Sequence, residues 1–139
     1  MPEWTADAAL WRQAFTMLDA EPPSYTGCFL HRDFHVSNLL WSGGEVAGVV
    51  DWVETSWGPA ALDVAHVSTY LAMLRGPSVA HRFRTRHQNA SDSYWDVMDV
   101  VGYLPHSRKV TRPWRQLGVD ITDEVAMRRL ESYLADVLG

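Results

Sequence analysis

The sequence predicts an α-rich α+β domain with a very small sheet, and three observations carry that expectation. An amphipathic helical stretch comes first, three short apolar runs separated by polar or glycine-bearing loops follow, and after Pro59 the apolar residues recur at helical spacing. With 139 residues, 47% of them hydrophobic, the chain is long enough for one domain with a real core, and no linker or repeat divides it.

The elements can be justified in order. Trp4, Ala8, Trp11, Phe15 and Leu18 lie three and four apart, one apolar helical face, and Pro22-Pro23 stops that helix. The apolar runs are Cys28 to Leu30, Leu39 to Trp41 and Val46 to Val50. The last two read as a β-hairpin turning through Ser42-Gly43-Gly44-Glu45. From Pro59, placed in a first helical turn, Leu62, Ala65, Thr69 and Met73 share a face up to Gly76-Pro77. Ser91 is expected to cap a helix carrying Tyr94, Trp95, Met98 and Val101, and Thr122 a last one carrying Ala126, Leu130, Tyr133 and Val137. Between them, Pro105 to Gly118 reads as a basic, irregular connection. Arg82, Arg84, Arg86 and His87 read as a solvated helical face, and His66 as packing.

Composition narrows the function classes. The formal charge of −5 argues against a general nucleic-acid binder, since phosphate backbones are held by lysine and arginine, and is compatible with a cationic small molecule. Cys28 is the only cysteine, so no intrachain disulfide forms. The sequence shows no signal-peptide pattern and no run of apolar residues long enough to span a bilayer, so a cytoplasmic protein with no membrane partner is expected. Seven tryptophans and five tyrosines imply a well-filled core or a surface awaiting a partner.

The informative chemistry is in the loop His31-Arg32-Asp33-Phe34-His35-Val36-Ser37-Asn38, followed by the hairpin and by Val49-Val50-Asp51-Trp52. His31, Arg32, Asp33 and Asn38 match the spacing of a kinase catalytic loop, in which an aspartate accepts the proton of the attacking hydroxyl. Asn38 and Asp51, delivered from the two ends of a hairpin, could converge on a metal. An amide and a carboxylate suit Mg²⁺, which keeps several waters and takes its other ligands from phosphates.

The same residues, with Gly58-Pro59-Ala60-Ala61-Leu62-Asp63-Val64-Ala65, resemble the aminoglycoside phosphotransferase and choline-kinase-like enzymes over about 35 residues. The resemblance implies the C-terminal lobe of a protein-kinase-like fold, with the small hairpin carrying the catalytic loop. It implies Asp33 as catalytic base, His35 near the transferring phosphate, and Asn38 and Asp51 as Mg²⁺ ligands. Leu40 and Val50 become the apolar floor under the base of ATP or GTP, and His31 and Asp63 structural supports of the loop. The acceptor is then a hydroxyl of a small, cationic molecule bound in the helical lobe, where Asp92, Asp96 and Asp99 lie three and four apart and could present carboxylates to it. Arg32, Val36-Ser37 and Val53 depart from the family pattern, which more often has glycine, Pro-Gly and an acidic residue at these places.

Enzymes of this kind grip nucleotide with an N-terminal lobe bearing a lysine. The 32 residues before Asp33 contain no lysine and read as helical, so the chain is expected to lack that lobe and to be incomplete alone. A homodimer or a separate N-terminal-lobe polypeptide would complete it. Two other readings stand beside this one. The chain could be a non-catalytic binding or assembly module that kept the fold. Alternatively, His31-x-Asp33-x-His35 could hold a transition metal in a hydrolase, with further ligands drawn from His66, His81, His87 and His106.

Overall fold

In the computed structural model, residues 4–105 and 108–139 are described, except for the side chains of Arg108 and Lys109. His106, named above among the possible metal ligands, lies outside the described residues. The first helix, α1 (Ala8–Leu18), starts where Asp7 accepts hydrogen bonds from the N–H groups of Ala9 and Leu10. Its apolar face buries Trp11 and Ala14 completely. Trp4 packs edge-on against Trp11. A short strand, β1 (Gly27–Leu30), leads into the polar loop, and β2 (Leu39–Ser42) and β3 (Glu45–Val49) form the expected hairpin. Gly43 and Gly44 both take positive φ, which the tight turn requires and which a side chain would oppose.

The sheet region departs from expectation in one respect. A fourth strand, β4 (Ser56–Pro59), pairs antiparallel with β1, so there are two separate two-stranded sheets. Pro59 is therefore the last residue of a strand and not part of a first helical turn. Its missing N–H is tolerated because the pair consists of two edge strands.

The remaining chain is helical: α2 (Ala61–Arg75), α3 (Pro77–Arg86), α4 (Ser93–Gly102), α5 (Arg108–Gln116) and α6 (Asp123–Leu138). α2 is the central helix. It packs against α3, α4 and α6, which explains why small or apolar residues occur on most of its sides. Its last carbonyls, those of Met73 and Leu74, accept hydrogen bonds from the Arg129 guanidinium of α6. The core joins Trp11, Met73, Val97, Val100, Leu130 and Leu134 into one cluster. A single carboxylate ties the first helix to the last: Glu131 Oε1 accepts from the N–H groups of Ala6 and Asp7 and from Trp11 Nε1.

Three further expectations need correction. Asp92, not Ser91, caps α4, its carboxylate accepting the Tyr94 N–H at 2.8 Å. The stretch expected to be irregular contains α5, with Pro113 inside it. Its helical character was masked in the sequence by that proline and by a high density of charge. Arg84 does not lie on a solvated face. Its Nη2 sits 2.8 Å from Oδ2 of Asp96, a carboxylate that is only 1% exposed and also accepts the Tyr133 hydroxyl. Thr122 caps α6 as expected, accepting the Val125 N–H.

Candidate active site

The loop between β1 and β2 is held from beneath by α2. Asp63, in the first turn of that helix, accepts the main-chain N–H of His31 through Oδ2 and that of Arg32 through Oδ1, both at 2.8 Å. Arg32 has φ of +73°, the left-handed region where non-glycine residues are strained. The paired hydrogen bonds to one carboxylate hold the backbone there. His31 is buried, and each ring nitrogen has a main-chain partner. Nε2 donates to the Val50 carbonyl at 2.8 Å, which leaves Nδ1 to accept the Asp33 N–H at 3.3 Å. Only the neutral imidazole satisfies both.

This brace also sets the metal-ligand expectation in space. The Val50 N–H donates to the Asn38 carbonyl at 3.0 Å while the Val50 carbonyl accepts from His31. Asp51, the next residue, follows this brace in a left-handed conformation with φ of +64°. Asn38 is buried, and its Nδ2 donates to both the main-chain oxygen and Oδ2 of Asp33, at 2.8 and 3.1 Å. Its side-chain oxygen consequently faces away from those acceptors. That oxygen and the exposed Asp51 carboxylate are both hard oxygen donors, a type that suits Mg²⁺ better than a softer metal. Among the described residues no group of three or more His, Cys, Asp and Glu side chains is assembled for a metal. Because both nitrogens of His31 are already used, the transition-metal reading loses its first ligand.

Asp33 is partly open to solvent. Its Oδ1 has two imidazoles at 3.4 Å, His35 Nε2 and His66 Nε2. His35 accepts the Ser37 N–H on Nδ1, so its proton sits on Nε2, toward Asp33. Burial lowers its proton affinity, and the Asp33 charge only partly compensates. The His35 ring stacks on Tyr70 at 4.7 Å between centroids. The Tyr70 hydroxyl receives the Trp114 indole N–H at 2.7 Å and lies 2.8 Å from the Ser37 hydroxyl, so α5 is tied to the loop through α2. A cavity of about 280 Å³ opens beside Asp33, His35 and His66, with mostly apolar walls that include Tyr103, Val110 and Leu117.

The three aspartates of α4 do not form the carboxylate row that their spacing suggests. Asp92 is spent on the helix cap, and Asp96 is buried in its ion pair with Arg84. Asp99 turns toward the loop and binds His66 Nδ1 at 3.0 Å. Leu40 and Val50, expected under a nucleotide base, are open apolar surface, and Trp41 and Val46 on the same hairpin are also exposed. Sequence reasoning missed His66, Tyr70 and Trp114. A signal for two of them was present, because Asp63, His66 and Tyr70 follow one another at three and four residues on the same helical face.

No helix among the described residues is long and apolar enough to cross a membrane. The sequence matches the model of the phosphotransferase enzyme family (APH) over residues 1–100. No curated protein and no solved structure matched the chain.

Proposed function

Because the chain belongs to the phosphotransferase enzyme family, we propose that it is the catalytic lobe of a cytoplasmic small-molecule kinase that moves the terminal phosphate of ATP or GTP onto a hydroxyl group. The observation that carries this reading is the joint placement of Asp33, Asn38 and Asp51 by one set of hydrogen bonds centred on His31 and Val50. A set of unrelated turn residues would not need such cross-bracing.

In this reading the acceptor occupies the cavity beside Asp33, its hydroxyl within reach of the carboxylate. As the acceptor oxygen bonds to phosphorus, its O–H bond breaks and the proton passes to Asp33, while the nucleoside diphosphate leaves with the bridging oxygen. Asn38 holds Asp33 in place through Nδ2. The Asn38 side-chain oxygen and the Asp51 carboxylate would hold Mg²⁺, which would supply neutralisation of phosphate charge. His35 presents an N–H beside the transferring group. The exposed apolar surface of Leu40 and Val50 receives the nucleotide base. With Asp92 and Asp96 engaged elsewhere, the acceptor meets apolar walls and the Asp33 carboxylate and not a row of acids.

Before Asp33 the described residues form one helix and one short strand, and the sequence there has no lysine. We place the nucleotide clamp on a further polypeptide segment, either a separate lobe or a second copy of the chain, docking on the open hairpin.

Binding of a fluorescent ATP analogue with and without Mg²⁺, followed by phosphate transfer to a panel of alcohols, tests the reading. Mg²⁺-dependent binding is expected, weakened by Asp51→Asn, and Asp33→Ala is expected to cut any transfer by about 100-fold or more. Turnover unchanged in Asp33→Ala would remove the base from the mechanism. No nucleotide binding at millimolar concentration would instead favour a binding module that kept the fold.

A further inference from the structure

His66 lies on α2, away from the loop motif, yet among the described residues it is the one side chain that touches both Asp33 and a second carboxylate. Its Nε2 is 3.4 Å from Asp33 Oδ1 and its Nδ1 is 3.0 Å from Asp99 Oδ1. A neutral imidazole carries one N–H and one lone pair, so it could face only one of these carboxylates favourably. The imidazolium faces both. From this geometry we infer that His66 is a positioning residue, a charged bridge between Asp33 and Asp99 that fixes the carboxylate of the proposed base at the mouth of the acceptor cavity.

Three observations support the bridge. First, Asp99 is largely buried on α4 and its other oxygen, Oδ2, has no hydrogen-bond partner among the described residues. His66 is thus the contact that compensates this carboxylate, and removal of the imidazole would leave Asp99 buried and unsatisfied. Second, Oδ1 and Oδ2 of Asp33 are held by different elements, Oδ2 by Asn38 and Oδ1 by His66 with His35. Contacts from two sides define the rotation of a carboxylate, which one contact cannot do. Third, the direction of proton affinity agrees. Burial alone would lower it, but the hydrogen bond and charge of Asp99, followed by those of Asp33, outweigh burial and raise it.

The groups facing His66 are few. The loop contributes Asp33 and His35, α4 contributes Asp99 and Tyr103, and α2 itself contributes Tyr70. Both carboxylates favour the charged ring and His35 opposes it. The Tyr103 hydroxyl stays protonated, because burial and then the charges of Asp99 and Asp33 push its proton affinity up. The two histidines beside Asp33 therefore divide the work. His35 is a neutral donor backed by a main-chain N–H, and His66 is a cation backed by a carboxylate.

The catalytic part of this inference rests on Asp33 being the base, so the first measurement does not use activity. Nitrogen-15 NMR of the ring, assigned by signals lost in His66→Gln, should show both nitrogens protonated at neutral pH and a midpoint above the ordinary histidine value of about 6.5. Asp99→Asn should lower proton affinity about tenfold or more, and Asp33→Asn by less, with circular dichroism unchanged. A His66 that titrates at or below the ordinary value, or one unmoved by both substitutions, overturns the bridge. Where the unsubstituted protein turns over, His66→Gln should reduce kcat about tenfold while acceptor KM stays within about twofold. Unchanged kcat overturns the positioning role. Absence of turnover in the unsubstituted protein counts against the proposed function and leaves the titration to decide the bridge.

Discussion

The two sides of the loop around Asp33 are built differently. On one side, the His31 ring and the Asp63 carboxylate at the start of α2 hold main-chain atoms of His31, Arg32, Asp33 and Val50. On the other, Asp33 is held through side chains, by imidazoles and ultimately by Asp99. A brace made of backbone partners fixes where the chain runs. A contact made of ionisable side chains sets how one carboxylate is charged and aimed, and it responds to pH and salt. The fold thus separates the shape of the site from its charge state.

The sharpest way to break that separation is on the backbone side. Asp63→Ala strips one acceptor from two N–H groups and releases a left-handed Arg32, and should cost about 3 kcal/mol in urea unfolding, since hydrogen bonds to charged groups contribute roughly 1.5–3 kcal/mol each. Unfolding at the unsubstituted midpoint would show that the brace is dispensable. A smaller effect is expected from Tyr70→Phe, which leaves the buried Trp114 N–H without its acceptor. About 1–2 kcal/mol should be lost, together with a change in Trp114 fluorescence.

The smallest effect, and the one that separates the two histidines, is the dependence of thermal stability on pH. His66 has a folded proton affinity above the unfolded value, so its contribution is fully present below about pH 6.5 and is lost as pH rises through the folded midpoint. His35 is lowered in the fold, so its contribution is present above about pH 6.5 and declines as pH falls. His66→Gln should flatten the alkaline limb of the Tm profile and His35→Gln the acid limb. Identical profiles for both variants would contradict the division between them.

What the sequence could reveal follows the same line. The pairing of Asp33 with Asn38 was legible because it joins residues five apart in one loop, whereas the contacts of His31 with Val50 and of Asp63 with His31 reach across 19 and 32 residues. The hairpin was legible from Gly43-Gly44, where the turn needs positive φ. β4 was hidden because its pairing with β1 joins residues about thirty apart, and Ser56-Trp57-Gly58-Pro59 has no alternating pattern of its own. The contact between His66 and Asp99 was hidden because only the packing of α2 against α4 brings the two together. Asp96 misled for the same reason: its spacing places it in register with Asp92 and Asp99, while its burial depends on Arg84 and Tyr133 of other helices.

The anchoring of α1 by Glu131 has a consequence for the order in which the protein assembles during synthesis. Ala6, Asp7 and Trp11 are made early, yet their shared acceptor belongs to α6, more than a hundred residues later. While the ribosome is still extending the chain, Ala6, Asp7 and Trp11 do not yet have that acceptor. α1 also packs against α4, which emerges earlier, so only the part of its surface that meets α6 waits for that helix.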